Sequence, residues 1–264
     1  MTAESEIPET PGLRPLVGYS LVAGLSNLIP LPLLDDWTRD LLRQRQAMEL
    51  ARRHGVALTG AEGKALACGH RPATAGGCAR GCLAGAVVRP IEFLFKVVFK
   101  KTVRKVLFFL TVKDVIDTFS RTLHEGYLLR HALELGVLPP AAEVAPGPPR
   151  PQVLALRRAI EATCDEVDPR PIEKAAAASL SGSRRLLRRA GRAMSRQLKR
   201  FGRRPDEQAV YEQLERRGEQ ELGGLIDEMT AGLEDQASYL EGLGRRLERR
   251  LAAPEPPVAP PAGG

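Results

Sequence analysis

The chain has 264 residues, 43% of them apolar, 27% charged and only 5% aromatic, with a formal charge of +7 and a pI near 9.5. Such a chain can bury a sizeable core, and it is too apolar for a disordered polar segment. So few aromatic rings argue against base-stacking platforms and aromatic-lined sugar sites, while the positive balance favours anionic partners.

Residues 1–12, MTAESEIPETPG, are acidic and polar, with no basic stretch ahead of an apolar core. They do not read as a secretory signal peptide and are expected to be disordered. Cys68, Cys78, Cys82 and Cys164, without such a signal, point to a reducing cytoplasmic setting in which disulfides do not form. Arg far outnumbers Lys, and Ala, Gly and Pro are abundant, as in proteins of GC-rich bacterial genomes.

Residues 15–34, PLVGYSLVAGLSNLIPLPLL, form the longest uncharged stretch, and twenty residues is the length of a membrane span. Pro30 and Pro32 near its end, with Gly18, Ser20, Gly24, Ser26 and Asn27 diluting its apolarity, favour a buried or interfacial helix instead. An amphipathic helix follows. Leu34, Trp37, Leu41, Met48 and Ala51 share one face, and Gly55 stands where a C-cap glycine belongs.

The order of an apolar Gly/Ala-rich helix, then LIPLPLLDDW, then a charged helix ending in ARRHGVAL resembles a segment of the EcsC-like bacterial proteins. The resemblance covers residues 16–58, about a sixth of the chain, and is carried by IP-x-P and A-R-x-x-G. It implies a helical, membrane-associated protein and transfers no functional residue.

In CGHRPATAGGCARGC, Cys68, His70, Cys78 and Cys82 fall within fifteen residues. Three thiolates and an imidazole can complete a tetrahedral zinc site, although C-x-H-x7-C-x3-C matches no standard finger or knuckle. The alternative is that small cysteines pack among Ala and Gly. Zinc is the one cofactor left open. Gly77, Gly81 and Gly85 suit close helix approach and not a phosphate cradle, for which the lysine motif and the preceding strand are missing.

Pro90 is placed to begin a helix. Bulky apolar residues then mix with Lys96, Lys100, Lys101, Arg104 and Lys105, whose directions call for a bend or break near 100–103. Thr111 and Asp114 resemble a capping box. Val112, Val115, Ile116, Phe119, Leu123, Leu128, Ala132 and Leu135 then form a helical stripe ending at Gly136. On that helix His124 and His131 are two turns apart, too far for joint metal ligation, and Glu125 is expected to point away from them. No hydrolase, metalloprotease or kinase signature is present, so catalysis is not expected.

GVLPPAAEVAPGPPRP, residues 136–151, carries six prolines and reads as a semi-rigid linker between two domains, 13–135 and 152–251. Residues 252–264, Pro-rich and without apolar periodicity, are expected to be a disordered tail. Between linker and tail the charge is segregated. Residues 172–204 hold eleven basic residues against Glu173 alone, a net +10, while 206–244 hold eleven acids against Arg216 and Arg217, a net −9. Ile172, Ala176, Leu180, Leu187, Ala190, Met194, Leu198 and Phe201 line one face of the first segment. Leu222, Ile226, Met229, Leu233, Gln236, Leu240, Leu243 and Leu247 give the second the spacing of a coiled-coil seam.

The expectation is an all-α protein of two parts, an N-terminal helical domain and a C-terminal antiparallel hairpin or coiled coil, peripheral to the cytoplasmic side of the inner membrane. Its anion- or lipid-binding candidates are Arg184, Arg185, Arg188, Arg189, Arg192, Arg196, Lys199 and Arg200. Three partners stay open for that basic face: the acidic segment of the same chain, an anionic membrane, or nucleic acid, which lacks any accompanying binding motif. A soluble scaffold that forms homo-oligomers through 206–251 is the alternative to membrane association.

Overall fold

The computed structural model describes residues 12–26, 34–68, 102–140, 145, 147–183, 185–187, 189, 190, 193 and 207–253. The protein is all-α: the described residues contain helices and no strand. In chain order the helices are α1 (Leu13–Leu25), α2 (Leu34–Arg53), α3 (Gly60–Cys68), α4 (Thr102–Glu134), α5 (Pro151–Glu166), α6 (Arg170–Gly182), α7 (Glu207–Glu234) and α8 (Ala237–Ala252). Residues 185–187, 189, 190 and 193 are helical as well.

Local chemistry explains many of the ends. Gly55 and Gly136 both take φ +69°, open to glycine at no steric cost. After each, the next residue reaches back across the last turn: Val56 N–H donates to Ala51 O at 2.8 Å and Val137 N–H to Ala132 O at 3.1 Å, the Schellman arrangement. Pro151 opens α5, where its missing N–H costs nothing. Thr59 and Glu62 cap α3 reciprocally. Glu62 N–H donates to Thr59 Oγ1 at 3.1 Å, and Thr59 N–H to Glu62 Oε2 at 3.0 Å.

The expected cap at Thr111 and Asp114 does not start a helix. Both lie inside α4, which begins at Thr102. A three-residue spacing of Thr and Asp occurs inside helices as easily as at their starts, and here the chain is already helical from Thr102.

Helix α4 is the centre of the fold. It packs against α1, α2, α5, α6 and α8, and residues 122–130 are buried without interruption. Val115, Phe119, Leu123, Leu128 and Ala132 are interior as the stripe implies. Leu135, at its end, is instead 51% exposed. Helix α1 crosses α4 so closely that a Cβ on Gly24 would meet the Val115 carbonyl oxygen at 2.7 Å. With thirteen residues α1 is about 20 Å long, short of the roughly 30 Å hydrocarbon layer. No helix among the described residues is long and apolar enough to cross a membrane.

The expected break at 136–151 does not separate two cores. One hydrophobic core runs through residues from both sides of it, from Leu16 to Leu247, and α1 packs on α7 as well as on α4. Proline content sets the local backbone of a segment and leaves open whether it lies against the body. Here Leu138 is 1% exposed, and Arg150 is bound to α3.

The coiled-coil spacing of the second segment is likewise used internally. Leu222, Ile226, Met229, Leu233, Leu240, Leu243 and Leu247 are all buried in the chain's own core. The helix is not continuous. It breaks at residues 235–236, at the single polar position of the seam, so that α8 turns onto α4 and α5 while α7 lies on α1 and α6.

Candidate functional site

Of the eight candidate basic residues, Arg185 and Arg189 are among the described residues, and both are exposed. Arg184, Arg188, Arg192, Arg196, Lys199 and Arg200 lie outside them or have side chains that do. The apolar neighbours turn the other way, with Leu187 1% and Ala190 3% exposed. Arg189 Nε stands 2.8 Å from Glu221 Oε2 on α7, and its Nη2 stands 3.4 Å from Oε1. Both residues are sixteen positions from Pro205 in the sequence.

Cys68 ends α3, half-buried and free, and burial pushes its thiol up to about 11. His70, Cys78 and Cys82 lie outside the described residues. Among the described residues no three His, Cys, Asp or Glu side chains group as metal ligands.

A second polar constellation is absent from the sequence expectations. Glu125 does point away from His124, but inward, to a side chain only 9% exposed and ringed by arginines from three helices. Arg121 Nε on its own helix donates to Oε1 at 2.9 Å, Arg157 Nη1 of α5 stands 3.2 Å from Oε2, and Arg43 Nη1 of α2 stands 3.9 Å from it. Burial alone would raise the Glu125 carboxyl, but the positive charges of Arg43, Arg157 and Arg121 hold it below the ordinary carboxylate range. The arginines are themselves shared out. Arg157 donates to Leu66 O at 2.6 Å, at the end of α3, and pairs with Glu161, while Arg121 pairs with Asp165 at 2.6 Å. Three cations face three anions, and the charges close within the cluster. The arrangement ties α2, α3, α4 and α5 together.

The two histidines of α4 both grip α8. His124, 2% exposed, has Nδ1 2.6 Å from Ser120 O. A carbonyl only accepts, so Nδ1 carries the hydrogen and Nε2 is the acceptor for Tyr239 O–H at 2.7 Å. The Asp168 carbonyl, 2.9 Å from the same hydroxyl, competes for that hydrogen. Burial pushes His124 down to about 4 and Tyr239 up to about 12. Two turns on, His131 Nε2 meets Glu248 Oε1 at 2.7 Å. Its ring lies against Gly244, where a Cβ would come within 2.9 Å of Nε2. Ser120 Oγ is 3.4 Å from the protonated Nδ1 and is itself buried, so the pair is no nucleophile with its base.

No family model matches the chain, and no curated protein and no solved structure is significantly similar to it.

Proposed function

We propose that the protein is a non-catalytic helical protein that attaches to an anionic membrane surface, held by charge and not by insertion. The carrying observation is the division of the basic segment, with Leu187 and Ala190 inside and Arg185 and Arg189 outside. A free interfacial helix sinks its apolar face into lipid. Here Leu187 and Ala190 of that face are covered by the chain's own core, so contact with lipid beside them falls to guanidinium groups, each worth about 1 kcal/mol beside an anionic leaflet. The resemblance at residues 16–58 and the net charge of +7 point the same way. The buried polar groups support a non-catalytic reading, since Glu125 and His124 are engaged by internal partners.

The scaffold alternative has less support, because the seam that would join two copies is buried within one. The test is vesicle flotation of the full chain beside a variant with Arg185, Arg188, Arg189 and Arg192 changed to Gln. The reading requires wild-type flotation with anionic vesicles that falls with added salt and is lost in the variant. Flotation that survives both changes removes it. Retention on DNA without flotation moves the basic face to nucleic acid.

A further inference from the structure

We propose that the acidic helix α7 is an intramolecular competitor for that anionic surface, with Glu221 occupying Arg189 until a dense array of phosphates displaces it. The inference rests on the surface-binding reading and adds its regulation.

Two nitrogens of Arg189 face two oxygens of Glu221, at 2.8 and 3.4 Å. That is the fork with which a guanidinium also holds phosphate. The two partners are unequally fixed. Glu221 is 17% exposed, and its neighbours Leu222, Leu225 and Ile226 are anchored in the core. Arg189 is 70% exposed on a flexible stem, so it can swing from carboxylate to phosphate while Glu221 stays in place. Ion pairs at this exposure are weak, which keeps the exchange reversible.

The sequence repeats the pairing of signs. Arg192 with Glu219, Arg196 with Glu215, Lys199 with Glu212 and Arg203 with Glu207 have numbers whose means, like that of Arg189 and Glu221, lie within half a residue of 205. A basic segment built only to hold lipid has no need of acids at matched positions. A competitor also raises the charge density needed for binding, because the apparent affinity falls by the fraction of the chain in which Arg189 is free.

The experiment is flotation of the full-length protein with phosphatidylcholine vesicles carrying stepped fractions of phosphatidylserine. Glu221→Gln is compared with Glu228→Gln, which removes the same charge from an exposed residue of the same helix that does not hold Arg189. At intermediate phosphatidylserine, Glu221→Gln binds about two- to fivefold more tightly than Glu228→Gln, and adding Arg189→Gln erases the difference. Equal binding of the two single variants, with the wild type still floating, overturns the competitor and leaves surface binding standing. A gain that persists in the double variant also overturns it. If neither wild type nor Glu221→Gln floats at any fraction, the surface reading fails and takes this inference with it.

Discussion

Arg150 and Glu62 are 88 residues apart in the chain, and Arg150 Nε lies 2.5 Å from Glu62 Oε1. The same carboxylate caps α3 through Thr59 and accepts the backbone N–H of Arg150 at 3.2 Å, while Arg150 Nη2 donates to Ala57 O at 3.1 Å. One buried acid thereby fastens the Pro-rich stretch to the start of α3. Burial alone would raise the Glu62 carboxyl, but Arg150 and the two backbone donors hold it below the ordinary range.

Removing that charge strands a guanidinium in a site built for it. Glu62→Gln is expected to lose about 2–4 kcal/mol of stability in urea denaturation. Glu49→Gln, whose carboxylate pairs with the exposed Arg52 and Arg53, is expected to lose less than about 1 kcal/mol. Equal losses from the two would reduce the Glu62 contact to an ordinary surface pair.

Glu125 is the more demanding case, because it faces three arginines and not one. Glu125→Gln leaves Arg121 with Asp165, but Arg43 and Arg157 then lose the charge between them. The expected cost is about 3–5 kcal/mol. Adding Arg157→Met to that variant is expected to restore part of it, since the second change returns the cluster to two cations, Arg43 and Arg121, against two anions, Glu161 and Asp165. A double variant as unstable as the sum of the singles would show that the charges do not act as a unit.

The all-α class was legible because the stripes at 172–190 and 222–247 follow helical spacing, and the helix stops at Gly55 and Gly136 were written in the residues that allow a positive φ. The buried ionic cluster was not. A helix packed from all sides has no solvent face, so the polar residues of α4 fall on every side of the wheel and look like ordinary surface charges. Glu125, Arg43 and Arg157 are brought together from three helices, and no local spacing announces that. The α3 cap, by contrast, is present in the sequence as Thr59-Gly60-Ala61-Glu62, but a nine-residue helix with little periodicity gives its own start no further signal. The seam at 222–247 showed its spacing plainly but not its partner: heptad spacing specifies an apolar stripe, and whether a second chain or the chain's own helices cover it depends on the break at 235–236.

His124 makes stability depend on pH in a window of its own. Its folded value is pushed down to about 4 from an ordinary 6.5, so the unfolded chain takes up the proton first as pH falls. The stabilisation is fully present above pH 6.5 and is lost as pH falls towards 4, a change of about 2–3 kcal/mol. Glu62 and Glu125, both held below the ordinary carboxylate value of 4.5, contribute stability that is lost only at lower pH. Urea midpoints between pH 7 and 4.5 should therefore fall in the wild type. In His124→Gln they should start lower and stay nearly level. A variant with the wild-type slope would assign the dependence to another group.

Three glycines in helices should respond oppositely to alanine. A Cβ on Gly126 would strike the Gln46 amide and meet Leu16 Cδ2 at 3.1 Å, and one on Gly244 would press into the His131 ring. Gln46 is 3% exposed and Leu16 1%, so neither can step aside into solvent. Gly126→Ala is expected to cost about 1–3 kcal/mol through overpacking. Gly244→Ala is expected to cost less, because the half-exposed His131 can yield by giving up Glu248. Gly224 lies within α7 with nothing near a new Cβ. Gly224→Ala should stabilise by about 0.5–1 kcal/mol, the gain from restricting the unfolded backbone and improving helix propensity. Thermal midpoints ordered Gly224→Ala, wild type, Gly244→Ala and Gly126→Ala from highest to lowest are the expected result. Gly126→Ala melting at or above wild type would mean that α1 and α2 do not close on α4 as tightly as the packing of Gln46 and Leu16 requires.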